Sequence, residues 1–134
     1  MNHTDLATSR RLAKVWPLDA DDRQHLQWLR NPGDNAGPAG EWCLTEGREA
    51  MNYRAWGYDS IPARDLTELE ARVQEMELGW ISSTMGKEVR VWLYNKTGGN
   101  VLNSVAVGGS NCFINALGAA VAAALEARER EEKP

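Results

Sequence analysis

Few residues of this chain could take part in acid–base, nucleophilic or metal chemistry. The 134 residues include two histidines, His3 and His25, and two cysteines, Cys43 and Cys112, in no metal-binding spacing. The spacings typical of a zinc protease, a dithiol site, a nucleophile elbow, a phosphate-binding loop and a calcium loop do not occur. A catalytic triad could combine His25 only with residues distant in the sequence. We therefore predict no catalytic residue and no enzymatic activity.

One acidic group is dense enough to be considered as a metal site. Asp19, Asp21 and Asp22 could offer carboxylate oxygens to a divalent cation. Carboxylates are also favoured at the start of a helix, where they interact with the helix dipole. We adopt the helix interpretation and expect no bound metal and no cofactor.

Two groups of residues could bind a small ligand. The first is Gly108, Gly109, Ser110 and Asn111, whose backbone N–H groups before a helix could hold a phosphate, although a tight turn with a helix cap explains them more simply. The second mixes aromatic and cationic side chains that could stack on a base and pair with its phosphate. Its members are Tyr53, Arg54, Trp56, Tyr58 and Arg64. The alternative is a rigid loop in which Trp56 fills the core and the arginines are solvated.

A third group, Arg90, Trp92 and Tyr94, alternates along one face of a predicted strand. If no helix covers that face, it is an interface. If a helix covers it, Trp92 belongs to the core. The chain has six tryptophans, which is more than so small a core should need. We therefore expect one or two of them at a binding or oligomer surface.

The composition indicates one globular domain of mildly acidic character. Hydrophobic residues make up 43%, charged residues 25%, and the net charge is −4. An acidic protein is poorly suited to displace the counterions of nucleic acid, so we do not expect direct nucleic-acid binding. The sequence shows no signal peptide and no apolar run of about 18 residues, which predicts no membrane partner. A cytoplasmic protein with both thiols free is expected.

The N-terminal elements are predicted with less detail than the rest. Thr4 is expected to cap a helix that continues to about Trp16, with Leu6 and Ala13 on the same stripe as Trp16 and with Pro17 ending it. Residues 19–30 fit a second short helix that carries Leu26 and Leu29. Residues 31–40 are rich in Gly, Pro and Asn and predict a loop. In residues 41–58, Gly47 and Gly57 bracket a further possible short helix.

Stronger signals follow residue 59. Asp65 and Glu68 have the spacing of a capping box, which begins an amphipathic helix that Gly79 ends. The apolar stripe of this helix consists of Leu66, Leu69, Val73, Met76 and Trp80. Alternation over 88–94 predicts a strand, whose face opposite to Arg90, Trp92 and Tyr94 consists of Val89, Val91 and Leu93.

The remaining segments predict a hairpin and a closing helix. After a loop over 95–100, a second strand places Val101, Asn103, Val105 and Val107 on one face. The segment Gly108-Gly109-Ser110-Asn111 breaks this strand. Ser110 or Asn111 then caps a helix with many alanines. Its apolar stripe consists of Ile114, Leu117, Val121 and Leu125.

These elements predict an α+β protein in which a small antiparallel sheet is flanked by helices. The C-terminal half has the order helix, strand, strand, helix. We expect a single domain over 1–134, with an N-terminal helical arm (1–30), a loop (31–40), a core (41–127) and a frayed tail (128–134). Two strands cannot cover two helices stably, so either strands from the Trp28 to Leu44 region or a second copy of the protein must complete the sheet. Among partners we expect a second copy, that is, a homo-oligomer.

Three pieces of the C-terminal half, DLTELEARVQEMELGW, VRVWLYN and NALGAAVAAALEA, follow one another in the sequence. From about Tyr58 to Ala127 the chain resembles small phage proteins described as ABA-sandwich domains. The resemblance implies a phage or prophage origin and an antiparallel sheet flanked by helices. It carries over no functional residue.

Small acidic phage proteins without enzyme motifs are often inhibitors of host immunity. A function inferred from this resemblance is an analogy, because a fold does not determine a function. We expect stoichiometric binding that inhibits host antiviral defence in the host cytoplasm. The partner would be a host defence complex of the CRISPR type, or a nucleotide-derived immune signal that the protein sequesters. The alternative is a homo-oligomeric structural or adaptor phage protein without a ligand.

Overall fold

The structure is a computed structural model that describes residues 2–17, 26–30, 41–45, 59–96 and 104–132. The chain divides into two compact units. Unit 1 contains residues 1–16 and 64–134, and unit 2 contains residues 17–63. The structure therefore groups the first helix with the C-terminal elements, whereas the sequence suggested an N-terminal arm.

Unit 2 contains a small antiparallel sheet. Its described strands are β1 (Gln27–Arg30), β2 (Trp42–Thr45) and β3 (Asp59–Pro62), in the order β2-β1-β3. The helix interpretation is wrong for the end of the 19–30 segment, because burial alternates along β1 with the period of a strand. The predicted loop over 31–40 and the short helix between Gly47 and Gly57 lie outside the described residues.

Unit 1 contains three described helices and a second antiparallel sheet, so the predicted α+β class is confirmed. The elements are α1 (Leu6–Val15), α2 (Leu66–Glu75), β4 (Leu78–Met85), β5 (Glu88–Asn95), β6 (Ser104–Ser110) and α3 (Phe113–Glu132). The strand order is β4-β5-β6, and both pairs are antiparallel. The C-terminal half thus has one strand more than the sequence predicted.

The additional strand, β4, occupies residues that were assigned to the end of a helix. The capping box of α2 is confirmed, but α2 ends at Glu75 rather than at Gly79. The chain reverses at Glu77, whose φ of 59° lies in the left-handed region. Trp80 consequently lies on β4, where its ring is 5.1 Å from that of Phe113. The spacing of Trp80 from the apolar residues of α2 agrees with the helical period only by coincidence.

The start and the packing of α1 also differ from the prediction. Asp5, not Thr4, is the N-cap, because its carboxylate accepts a hydrogen bond from the Thr8 N–H at 2.8 Å. Thr4 is fully buried, and its hydroxyl lies 2.7 Å from that of Ser9. The buried residues of α1 are Ser9 and Leu12. The three residues of the predicted stripe are only half-buried: Leu6, Ala13 and Trp16.

The core of unit 1 lies between α3 and the sheet. The predicted stripe of α3 is confirmed, since all four of its members are buried: Ile114, Leu117, Val121 and Leu125. The strand break predicted over 108–111 begins too early, because β6 includes both glycines and ends at Ser110. Gly108 lies directly beneath α3, and a Cβ there would be 2.3 Å from the Ala116 oxygen and the Ala120 nitrogen. A side chain is therefore excluded by the backbone of the helix.

On another side, α3 packs against α1. A Cβ on Gly118 would lie 2.8 Å from the Thr8 methyl group and 3.0 Å from that of Thr4, so the two helices approach closely. The Asp5 N–H donates to Asn115 Oδ1 at 2.8 Å. This contact fastens the start of α1 to the first turn of α3.

A two-pronged ion pair also joins the two helices. Arg11 Nε and Nη2 lie 2.7 and 3.2 Å from the two carboxylate oxygens of Glu126. The hydrogen bond that Arg11 donates lowers the pKa of the Glu126 carboxyl, and the same bond raises the pKa of Arg11. The pair therefore contributes stability at neutral pH that is lost as the pH falls through the lowered pKa of Glu126. Beyond it, α3 continues through Glu132, so residues 128–132 of the predicted tail are helical.

Candidate functional site

One face of the unit 1 sheet carries an apolar row that crosses all three strands. Ile81 on β4 pairs with Trp92 on β5, which pairs with Val107 on β6. Directly paired residues place their side chains on the same side of a sheet, so the three form one strip. Ile81 is 39% exposed, Val107 is 50% exposed, and Trp92 is half-buried.

We call this side of the sheet the open face. Its side chains are those of Ile81, Ser83, Arg90, Trp92, Tyr94 and Val107. The opposite side packs against α3 and contains the buried residues Val91, Leu93 and Ala106. Among the described helices of unit 1, none covers the open face. Of the two interpretations that the sequence left for this face, the interface is therefore favoured.

Polar and aromatic side chains border the apolar row. Arg90 Nε lies 3.3 Å from Glu88 Oε1, and both side chains are about half exposed. The ring of Tyr94 crosses the sheet above Gly79, where a Cβ would lie 2.6 Å from Tyr94 Cζ. Met85, at the end of β4, is 63% exposed. The open face thus combines an apolar centre with a charged border, as protein interfaces commonly do.

The structure brings together only part of the predicted site. Arg90 and Trp92 lie side by side on the open face. Four further predicted residues lie outside the described part of the chain: Tyr53, Arg54, Trp56 and Tyr58. Two contributors to the open face, Ile81 and Val107, were not among the predicted site residues. The sequence pattern places Val107 on an apolar strand face but does not include it in the site. Ile81 could not be identified as part of a sheet face, because the sequence pattern does not predict β4.

The predicted phosphate site belongs to the end of β6 and the turn that follows. Gly108 is held against α3, while a Cβ on Gly109 would lie 2.8 Å from Glu88 Oε1. The Ser110 hydroxyl donates to Asn111 Oδ1 at 3.2 Å. A carboxylate next to Gly109 repels an anion, so the geometry does not favour phosphate binding, which stays a prediction.

Arg64 lies inside unit 1 and not on the open face. It is 5% exposed, and its guanidinium lies 3.8 Å from the centre of the Trp16 ring. Its Nη1 is 2.9 Å from Glu68 Oε2, and its Nη2 donates to the Trp16 carbonyl at 3.0 Å. The Thr4 N–H donates to the Arg64 carbonyl at 2.8 Å. These contacts give Arg64 a structural position that joins the end of α1 to the start of α2.

We expect Arg64→Ala to lower the free energy of unfolding by about 3 kcal/mol, because it removes a buried cation that faces Glu68 and stacks on Trp16. Arg72→Ala is the matched control. The Arg72 guanidinium lies 5.5 Å from the same ring and pairs with the exposed Glu75. Its loss should cost less than about 1 kcal/mol. Urea unfolding measures both values, and equal effects would contradict the assignment.

Described residues of unit 1 line two clefts. One, of about 430 Å³, is lined by Leu78, Asn95, Val105, Ala124, Ala127, Arg128 and Glu131. The other, of about 380 Å³, is lined by Asn2, Asp65, Leu66, Thr67, Cys112, Phe113 and Ile114. Arg128 donates to the Met76 carbonyl at 2.7 Å, and the Cys112 sulfur accepts from the Asn115 amide at 3.1 Å. One polar group of each cleft is thus engaged in an internal contact.

Within the described ranges, no three His, Cys, Asp or Glu residues are grouped to hold a metal ion. No helix in those ranges combines the length and the apolar character needed to cross a membrane. Cys43 and Cys112 are both free thiols.

Comparison of the chain with protein-family models, with curated proteins and with solved structures found no match.

Proposed function

We propose that the protein acts by stoichiometric binding of a protein partner through the open face. The main support for this proposal is the exposed row of Ile81, Trp92 and Val107, which lies on a sheet face that no described helix of unit 1 covers. Contiguous exposed apolar side chains are a feature of interaction sites. Tryptophan and arginine side by side are also the residue types that dominate binding energy at interfaces.

The shape of the open face favours a macromolecule over a nucleotide. Small ligands bind in concave sites that bury most of their surface, whereas this site is one side of a three-stranded sheet. A flat aromatic surface fits a protein that caps a larger complex. Of the two inhibitory modes expected from the sequence, capping is therefore the one we propose.

We further propose that the partner is a host antiviral defence complex and that binding takes place in the host cytoplasm. The support for this step is the resemblance of the C-terminal half to small phage proteins. The net charge of −4 agrees with it, because an acidic protein can approach a surface that is basic for nucleic-acid binding.

Trp92→Ala is expected to weaken binding to a purified CRISPR-type effector complex by at least about 30-fold, because truncating a central aromatic anchor commonly costs 2 kcal/mol or more. Isothermal titration calorimetry measures the affinity. Plaque counts on cells that carry the defence system measure the inhibition.

Ser83→Ala is the matched control, since Ser83 lies on the open face outside the apolar row. It should bind like the wild type. Each variant must first show a cooperative thermal transition. A folded Trp92→Ala variant that binds and inhibits like the wild type would place the contact elsewhere. Inhibition at strongly sub-stoichiometric protein would contradict the binding mechanism itself.

A further inference from the structure

The edge strand β6 lacks two of the features that normally prevent edge-to-edge pairing, namely a charged residue and a proline. Among the described strands its only partner is β5, so its other side is an edge of the sheet. Its sequence, SVAVGGS, contains no charged residue and no proline. Natural edge strands are usually protected by lysine, proline, a bulge or a covering element. The register of β6 shifts at Val105, near its start, and is regular from Ala106 to Ser110. A two-fold axis places each residue near its own copy, so an uncharged strand is suited to pair with itself.

The other edge of the sheet, β4, is also uncharged, but its surroundings differ. α2 packs against β4, and the bulky Trp80 lies on the helix side of that strand. On the helix side of β6 the residues are small, namely Ala106 and Gly108. The space beside β6 is therefore the one that can admit the helix layer of a second copy.

We propose that the protein forms a two-fold homodimer by antiparallel pairing of β6 with β6 of a second copy. This inference does not depend on the proposed function. Paired residues must point to the same side of a sheet. Within the part of β6 whose register against β5 is regular, from Ala106 to Ser110, an axis at Val107 pairs Ala106 with Gly108 of the second copy, and both residues lie on the helix side of the sheet. Val107 then lies opposite Val107 of the second copy. The two apolar rows of the open faces become one continuous strip across the axis.

In such a dimer the two copies of α3 have room to lie side by side on the same face of the joined sheet. α3 packs against both β6 and β5. Neighbouring strands are about 4.8 Å apart, so two helices that each lie over the last two strands are about 10 Å apart, which is a normal distance for packed helices. Ala119, Ala123 and Ala127 recur every four residues on α3 and are half-buried. Gly108 contacts the turn of α3 from Ala116 to Ala120. These three alanines therefore lie on the side of α3 that runs along β6.

Sedimentation velocity of the full chain tests the proposal. The wild type should be a dimer at about 10 μM, a concentration at which a micromolar dimer is largely associated. Val107→Lys should raise the dimer dissociation constant by more than about 100-fold, because it places two ammonium groups opposite each other across the axis. Ile81→Lys is the matched control, since Ile81 is an exposed apolar residue at the β4 end of the same row. It should leave the dimer intact.

A charge-pairing experiment tests the register. Val107→Lys and Val107→Glu should each be monomeric, and an equimolar mixture should again sediment as a dimer. Circular dichroism shows whether each variant is folded. A monomeric wild type, or a dimeric Val107→Lys variant, would overturn the proposal. Loss of the dimer in both Val107→Lys and Ile81→Lys would assign the contact to face-to-face packing instead. The Trp92→Ala binding result is independent of these outcomes.

Discussion

Replacement of Leu117 by aspartate is expected to abolish the folding of unit 1. Leu117 is fully buried at the centre of the α3 stripe. Removing a buried leucine side chain costs about 2 to 5 kcal/mol, and burying a carboxyl group without a partner adds several more. The sum is comparable to the whole free energy of unfolding of a small domain, about 5 to 15 kcal/mol. The variant should therefore lack cooperative unfolding.

The same substitution at an exposed leucine provides the control. Leu66 is 39% exposed and is the first residue of α2, directly after the Asp65 cap. A carboxylate in the first turn of a helix is favourable, so Leu66→Asp should remain folded. Far-UV circular dichroism and thermal melting compare the two variants. If Leu117→Asp is soluble and melts at the wild-type temperature, α3 does not form the core that the structure describes.

The second large effect is expected at Gly108. Alanine at this position would place its Cβ 2.3 Å from two backbone atoms of α3, and the helix must move to admit it. Overpacking of a core usually costs about 1 to 3 kcal/mol, and a clash with backbone atoms belongs at or above the upper end of that range. We expect Gly108→Ala to lower the free energy of unfolding by about 3 kcal/mol or more.

Gly109→Ala is the control for this prediction, because the two glycines are neighbours on β6 and differ mainly in the side that they face. A Cβ on Gly109 would meet the end of the Glu88 side chain, which is exposed and can move. Its cost should stay below about 1 kcal/mol. Chemical denaturation of both variants measures the difference. A Gly108→Ala variant as stable as Gly109→Ala would show that α3 does not rest on this part of the strand.

The elements with a regular hydrophobic period were those that the sequence predicted correctly. The capping box at Asp65, the buried stripe of α3 and the alternation of β5 each depend on local residues whose spacing matches one structure. β4 was missed because the reversal at Glu77 uses a non-glycine residue with positive φ, which leaves no trace in the composition. Met76 and Trp80 also continue the helical spacing beyond the end of α2.

The candidate site was only partly predictable for related reasons. The sequence named Arg90 and Trp92 because both lie on a strand with clear alternation. Their neighbour Ile81 contributes through cross-strand pairing, which is a long-range relation that local patterns do not contain. Arg64 was expected at the surface, as arginine usually is, but it is buried against Trp16. Likewise, α1 packs through serine, threonine and glycine contacts, which a search for apolar stripes does not detect.

The contact between α1 and α3 has a consequence for the synthesis of the protein. Arg11 and Glu126 are separated by 115 positions in the chain. A ribosome that adds about 5 to 20 residues per second needs roughly 6 to 23 s to pass from one to the other. During that time α1 has emerged while its packing surface does not yet exist. Unit 1 therefore completes its fold only after α3 has been synthesised.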